Sequence, residues 1–399
     1  MTAPPRTPAR YRAAFGVAEF RVLFTLFTLQ VTGDSARAVA LSVLTFERTG
    51  SALAAALVFA ASMLPYVVGG MFLLSLADRV PARVLLTGQH FLRFAVTAVL
   101  ATGATPLPVT IALLTLTGLF APVGSAAVQA RLPRLLPGDA YVLGRSLFMM
   151  AAAGAQIVGQ AAGGLLLPVL GAAGTLWLCT AGAALAVVVA LRLPGGGGEP
   201  SQPSRGTARE TWRVNGVLLR DPVTRGLLLA GWLPISLSAG AEGVVVPYAA
   251  DLGRPGAAGQ LLAAGAAGMF AGNFVVGRWV PAPLRDRLTL PLALLTGAPL
   301  LLFALAPGLV LACVVLACAT AGLSYELTVQ HRLVEAAPEA VRGQALGLAG
   351  TGVMTGQAAA ISAAGALGEI VSPPRLMALC GAAAVAVCLG LTRSLHRPS

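Results

Sequence analysis

Twelve apolar stretches, most of them about 20 residues or longer, set the limits on what this 399-residue chain can fold into. They run over 22–46, 52–76, 84–103, 107–129, 146–168, 171–191, 226–249, 258–277, 288–306, 308–330, 343–369 and 374–391. Each is long enough to cross roughly 30 Å of hydrocarbon as a helix, and in lipid only helices and closed barrels satisfy their own backbone. We number them spans 1 to 12. The chain is 57% hydrophobic and only 11% charged, with a mean hydropathy of +0.82. That is well below the roughly 25% charge of soluble domains. An all-α integral membrane protein of twelve transmembrane helices is the expected fold class.

The basic residues give the orientation. All 27 are arginine, with no lysine. The N-terminal tail holds Arg6, Arg10, Arg12 and Arg21, the next five alternate gaps hold two, three, six, three and two, and the C-terminal tail adds Arg393 and Arg397. The intervening gaps hold only Arg48 and Arg254, with Arg375 at the start of span 12 on the same side. Basic loops stay inside, so both tails and segment 192–225 are expected to be cytoplasmic. The net charge of +12 then belongs beside anionic headgroups, and not against nucleic acid. Abundant alanine, glycine and arginine without lysine fit a GC-rich bacterial genome and a place in the inner membrane. The N-terminal run ending at Ala38-Val39-Ala40 resembles a cleavable signal, but Asp34 and Arg37 fall where a cleavage region is neutral, so an uncleaved first span is expected.

The chain also repeats itself. Val128-Gln129-Ala130-Arg131-Leu132 recurs as Val329-Gln330-His331-Arg332-Leu333 at an offset of 201. Gly159-Gln160-Ala161-Ala162 recurs as Gly356-Gln357-Ala358-Ala359, and Val80-Pro81-Ala82 as Val280-Pro281-Ala282. Three matches in order, at nearly one offset, predict two parallel six-helix halves, 1–192 and 226–399, with a substrate path between them. The segment 193–225 joins them as a Gly/Pro/Ser-rich cytoplasmic linker, followed from Thr207 to Arg220 by an interfacial helix. Without lysine there is no Walker-type loop, so the chain has no ATPase of its own. The five cysteines lie inside spans as packing residues, the three histidines are scattered, and neither a metal nor a cofactor is expected. No cluster of nucleophile, base or metal ligand suggests catalysis.

Ionisable groups within spans are costly and suggest function. Asp34 and Arg37, at i,i+3 in span 1, share a helix face as an ion pair that opens on proton or substrate binding, or as a purely structural one. Arg93, halfway along span 3, pairs within its own half or binds substrate. Glu242 in span 7 has no basic residue within a turn, and an unpaired carboxyl there suits a proton carrier; hydrogen bonding to other helices or pairing with Arg37 are the alternatives. Glu326 lies about one turn from the cytoplasmic end of span 10. Glycines Gly265, Gly268, Gly272 and Gly277 in span 8, and Gly347, Gly350, Gly352 and Gly356 in span 11, are expected to let helices approach closely.

The layout resembles the major facilitator superfamily, and within it the drug:proton antiporter branch typified by macrolide-efflux proteins. The marks are Gly33-Asp34, Thr49-Gly50-Ser51-Ala52-Leu53, Leu64-Pro65, Leu76-Ala77-Asp78-Arg79 with Arg83, Gly159 with Gly163-Gly164, and Arg342-Gly343. The chain departs from the family pattern at Leu74, at Pro81-Ala82, at Gln160, which replaces the proline of the span-5 motif, and in span 4, which lacks a buried arginine. The resemblance implies proton-coupled efflux of an amphipathic small molecule by a monomer. It also makes Asp78 a partner for the N-terminus of span 11 in a conformational switch with Arg79, Arg83, Arg342 and Gly343, and makes Gly159, Gln160, Gly163 and Gly164 a span-5 packing motif. An uptake permease and the membrane subunit of a multicomponent pump are the alternatives.

The topology has a direct test. In a background without native cysteines, an impermeant maleimide added outside intact cells labels Gly253→Cys and leaves Ser204→Cys untouched. Equal labelling overturns the orientation.

Overall fold

The computed structural model describes residues 11–61, 65, 68–69, 80–136, 139–194, 208–338 and 341–395. Helix stands at each of the twelve predicted stretches, and the described residues contain no strand. Span 1 is Ala18–Thr49, span 2 begins as Ala52–Ala60, span 3 is Ala82–Ala101 and span 4 is Leu107–Leu135. Spans 5 and 6 form one run, Asp139–Ala190, broken at Gly171, whose φ of 67° is non-helical. Without a Cβ, glycine turns left-handed at no steric cost, and the break falls where the sequence places the gap. Span 7 runs from Pro222 to Glu242, breaks at Gly243 and Val244, and resumes over Val245–Asp251. Spans 8, 11 and 12 are Ala258–Trp279, Arg342–Leu367 and Pro373–Gly390. Span 9 is Ala282–Leu295 with a 3-10 turn at Pro299–Leu305, and span 10 is Leu309–Ala321 continued by Glu326–Ala336. Span 10 therefore runs beyond residue 330, which sets Glu326 about three turns from its end rather than one.

Eight of the described helices are long and apolar enough to cross a membrane by composition alone. Of the others, Ala18–Thr49 carries Asp34 and Arg37, and Arg342–Leu367 is rich in glycine, which dilutes its hydropathy. The predicted interfacial helix is present as Ala208–Arg220. Leu218 buries against the last six spans, while Val217, Arg213 and Arg220 are exposed. Asp221 then caps span 7, accepting from the Thr224 backbone N–H at 2.8 Å.

Helix contacts are made where side chains are smallest, because lipid offers no hydrophobic force to bring helices together. A Cβ on Gly268 or Gly272 would fall inside the backbone of Ala317 or Ala321 in span 10. Gly159 lies against Thr32 and Ser35 of span 1, and Gly356, its repeat partner, lies against Trp232 and Ser236 of span 7. The repeated arginines are likewise both anchored: Arg131 pairs with Glu19, and Arg332 with Asp286 at 2.8 Å. Not every glycine is used this way, since Gly347 and Gly350 face open space.

Buried apolar residues form three clusters. One draws on the first six spans alone, through Phe20, Leu23, Leu86, Leu132 and Phe148. A second draws on the linker helix and last six spans, through Leu218, Leu227, Tyr325, Leu333 and Leu395. Both lie at the end of the bundle that carries the chain termini. The third lies at the opposite end and takes residues from both sets, among them Val39, Leu100, Leu176, Tyr248, Leu261 and Ile361. Gly164 of span 5 there meets Gly259 of span 8, and Gly365 of span 11 meets Ala56 of span 2. Among the described residues, the two sets of spans thus join at this end, called the sealed end below.

Replacing Gly268 by valine forces spans 8 and 10 apart and is expected to cost about 1–3 kcal/mol, read as a fall in the unfolding temperature in detergent. Gly347→Ala, facing open space, leaves that temperature unchanged.

Candidate functional site

Spans 1 and 3 build the polar centre of the first six spans. Asp34 accepts from Arg37 Nη2 at 2.8 Å, one helical turn away, and also from Arg93 Nη1 of span 3. Arg37 reaches on to the Thr97 hydroxyl at 3.0 Å. Both guanidiniums are buried, with side chains 6% and 8% exposed, while the Asp34 side chain is 34% exposed. His90, Arg93 and Thr97 sit at i, i+3 and i+7 on span 3, so one face carries all three. With Gln30, Gly33 and Cys179 they line a cavity of about 20 Å³, room for about one water molecule. One carboxylate shared by two guanidiniums leaves a net positive charge.

Arg93 therefore pairs inside its own set of spans, as one of the two sequence readings expected. Arg37 is committed to Asp34 and Thr97, so it does not pair with Glu242. Glu242 stands at the last helical residue before the break in span 7 and is partly buried. Gly240 and Gly243 pack on spans 12 and 11, through Cys380 and Ile361. At 100° per residue Glu242 points well away from that face. Its carboxylate has no hydrogen-bond or ion-pair partner among the described residues. Asp34 and Glu242 thus differ: the first is doubly paired, and the second has no partner among the described residues. Glu326 is satisfied differently, accepting from Gln330 at 2.9 Å.

Asp78 and Arg79 lie outside the described residues. Arg83 is partly buried in the first turn of span 3. Arg342 opens span 11 and donates to the Val334 carbonyl near the end of span 10 at 3.0 Å. Gly343 follows it in the helix. In span 5, Gly159 and Gly163 seat the helix on span 1, and Gly164 seats it on span 8. Gln160 is buried one turn before Gly164, and its side-chain oxygen has no partner among the described residues.

Residues that sequence reasoning passed over are His90, Thr97 and Glu369. The first two were detectable, because with Arg93 they repeat at helical spacing. Glu369, in the short connector between spans 11 and 12, gave no signal. It accepts from Ser51 Oγ at 2.7 Å and from the Leu53 backbone N–H at 2.8 Å, both at the start of span 2. Those donors, Leu53 first, hold its carboxyl below the ordinary glutamate range. Also at the sealed end, Glu47 and Arg254 line a cavity of about 490 Å³ with Val43, Leu167 and Leu309.

The model of the Major Facilitator Superfamily matches residues 23–358. The chain belongs to that superfamily: it is a multi-pass membrane transporter. No curated protein sequence matches it. Its fold is similar to that of the nucleoside transporter NupG, at 14% identity and a TM-score of 0.73 over 94% of this chain and 99% of that one. The xylose transporter XylE from E. coli, in an inward open conformation, gives 14% and 0.68 over 93% and 94%. A bacterial homologue of the human lysosomal transporter Spinster, inward-facing and unoccupied, gives 15% and 0.67 over 97% and 96%.

The shared carboxylate makes an asymmetric prediction. Asp34→Asn strands two buried guanidiniums and is expected to cost about 3 kcal/mol of stability. Arg93→Gln leaves a one-to-one pair and costs less. The Asp34→Asn/Arg93→Gln double variant is more stable than Asp34→Asn alone. Detergent unfolding curves of the three variants check the order.

Proposed function

We propose that the protein is a proton-coupled exporter of an amphipathic small molecule, in which two six-helix halves, 1–192 and 226–399, rock about a central site. The observation that carries this reading is the unlike state of Asp34 and Glu242. Asp34 is neutralised by fixed cations and forms part of the framework. Glu242 has no counter-ion among the described residues, so its charged form is costly in the membrane and a proton removes that cost. It also sits at the break in span 7, where a change in charge acts on the joint between two helical segments. Glu242 is thus the coupling group, with Asp34, Arg37 and Arg93 as the polar wall of the path.

The energy source must lie outside the chain, because no nucleotide-binding loop is present. The arginine distribution supports placing the termini in the cytoplasm of a bacterium and the sealed end outside. On that orientation the separate clusters of the described residues at the tail end favour an inward-facing reading, ready to take substrate from the cytoplasm or inner leaflet. The substrate reading as an amphipathic molecule rests on the sequence resemblance, and a monomer is sufficient for the mechanism.

Glu242→Gln imitates the protonated carboxyl. In vesicles with and without a pH gradient, screened with a panel of amphipathic dyes and antibiotics, this variant is expected to lose gradient-driven transport by at least tenfold. Exchange of the same compound without a gradient remains within severalfold of the parent. Normal gradient-driven transport by the variant overturns the coupling role. Accumulation against a gradient in the opposite direction overturns export in favour of uptake.

A further inference from the structure

Spans 2 and 11 run antiparallel, and at the sealed end they touch through their smallest residues. Gly365 lies against Ala56, and a Cβ on Gly368 would stand 3.1 Å from the Ala52 Cβ. Among the described residues, the hydrogen bonds that join the first six spans to the last six at this end all converge on one residue. Glu369 Oε1 accepts from the Ser51 hydroxyl and from the Leu53 N–H, two donors at the first turn of span 2. Ser51 is itself the N-cap of that helix, accepting from Ala54 N–H at 3.0 Å. A helix start has backbone N–H groups without internal partners and a partial positive charge. A carboxylate from the other set of spans therefore completes a cap that span 2 cannot complete alone.

We infer that Glu369 is the outer latch of the transport cycle, a positioning residue that holds the sealed end shut by capping span 2 across the interface. The inference rests on the alternating-access reading above. The contact exists only while the two sets of spans meet at this end, so rocking that opens the end breaks it.

The latch can be read without a known substrate. Spin labels at Thr102→Cys and Leu305→Cys, both exposed at the sealed end on opposite sets of spans, report its opening after the five native cysteines are replaced by alanine. Glu369→Gln is expected to raise the population of the longer distance over the shorter by about two- to fivefold, the scale of a solvent-exposed charged contact. Ser51→Ala, which removes one donor and leaves the carboxylate, raises it by a smaller factor. Gly365→Trp, which wedges span 11 off Ala56, supplies the open reference. Distances in Glu369→Gln identical to the parent, with Gly365→Trp opened, overturn the latch and leave the rocking intact. If Gly365→Trp does not open either, both the latch and the rocking-halves reading fall. Unfolding temperatures within a few degrees of the parent confirm that each variant reports on a folded protein.

Discussion

An apolar side chain gains almost nothing by leaving lipid for protein, and this governs how the bundle is put together. Association must come from close backbone approach and from polar groups that have no other partner. Glycine against small residues and backbone does the first, at Gly268 on Ala317, Gly159 on Thr32 and Ser35, and Gly164 on Gly259. The second falls to a few bonds such as Tyr325 to the Ala230 carbonyl at 2.7 Å and Trp232 to the Ala349 carbonyl at 2.9 Å. Contacts of this kind are easily separated where they are few. The protein concentrates them within each set of spans and, between the sets, at one end.

The same economy explains the charge. A buried ion pair is expensive to form and more expensive to break, so charged residues inside the membrane are few. Asp34, Arg37 and Arg93 are bound to one another and fix span 3 against span 1. Glu369 and Glu19 perform their pairing near the ends of helices, where water shares the cost. Glu326 has the Gln330 amide instead of a cation, and Glu242 has no partner among the described residues.

Much of this was legible in the sequence, and the reason is physical. Span positions follow from apolar length, which lipid enforces on every helix alike; most described span ends agree within a few residues, while spans 4, 5, 9 and 10 run six or seven residues further at one end. The Asp34–Arg37 pair followed from i,i+3 spacing, and the break at Gly171 from a gap of two residues. What could not be read depended on contacts between distant parts of the chain. Ser51 and Glu369 are over 300 residues apart, and nothing local in either says that they meet. Span 10 also outran its prediction, because its last turns are polar and carry Arg332, whose partner Asp286 is supplied by span 9.

The turns at the sealed end have a practical side. Gly50, Gly103, Gly171 and Gly253 all reverse the chain there with left-handed backbone, and Ala306 does so between spans 9 and 10. Such tight reversals have no slack, because an added residue would disturb the very geometry that brings the next helix back. A fluorescent domain, an epitope or an affinity tag inserted at these tips would pull two spans out of register. Reporters for this protein belong away from these tips, and binders raised against the sealed end will meet mainly tight reversals.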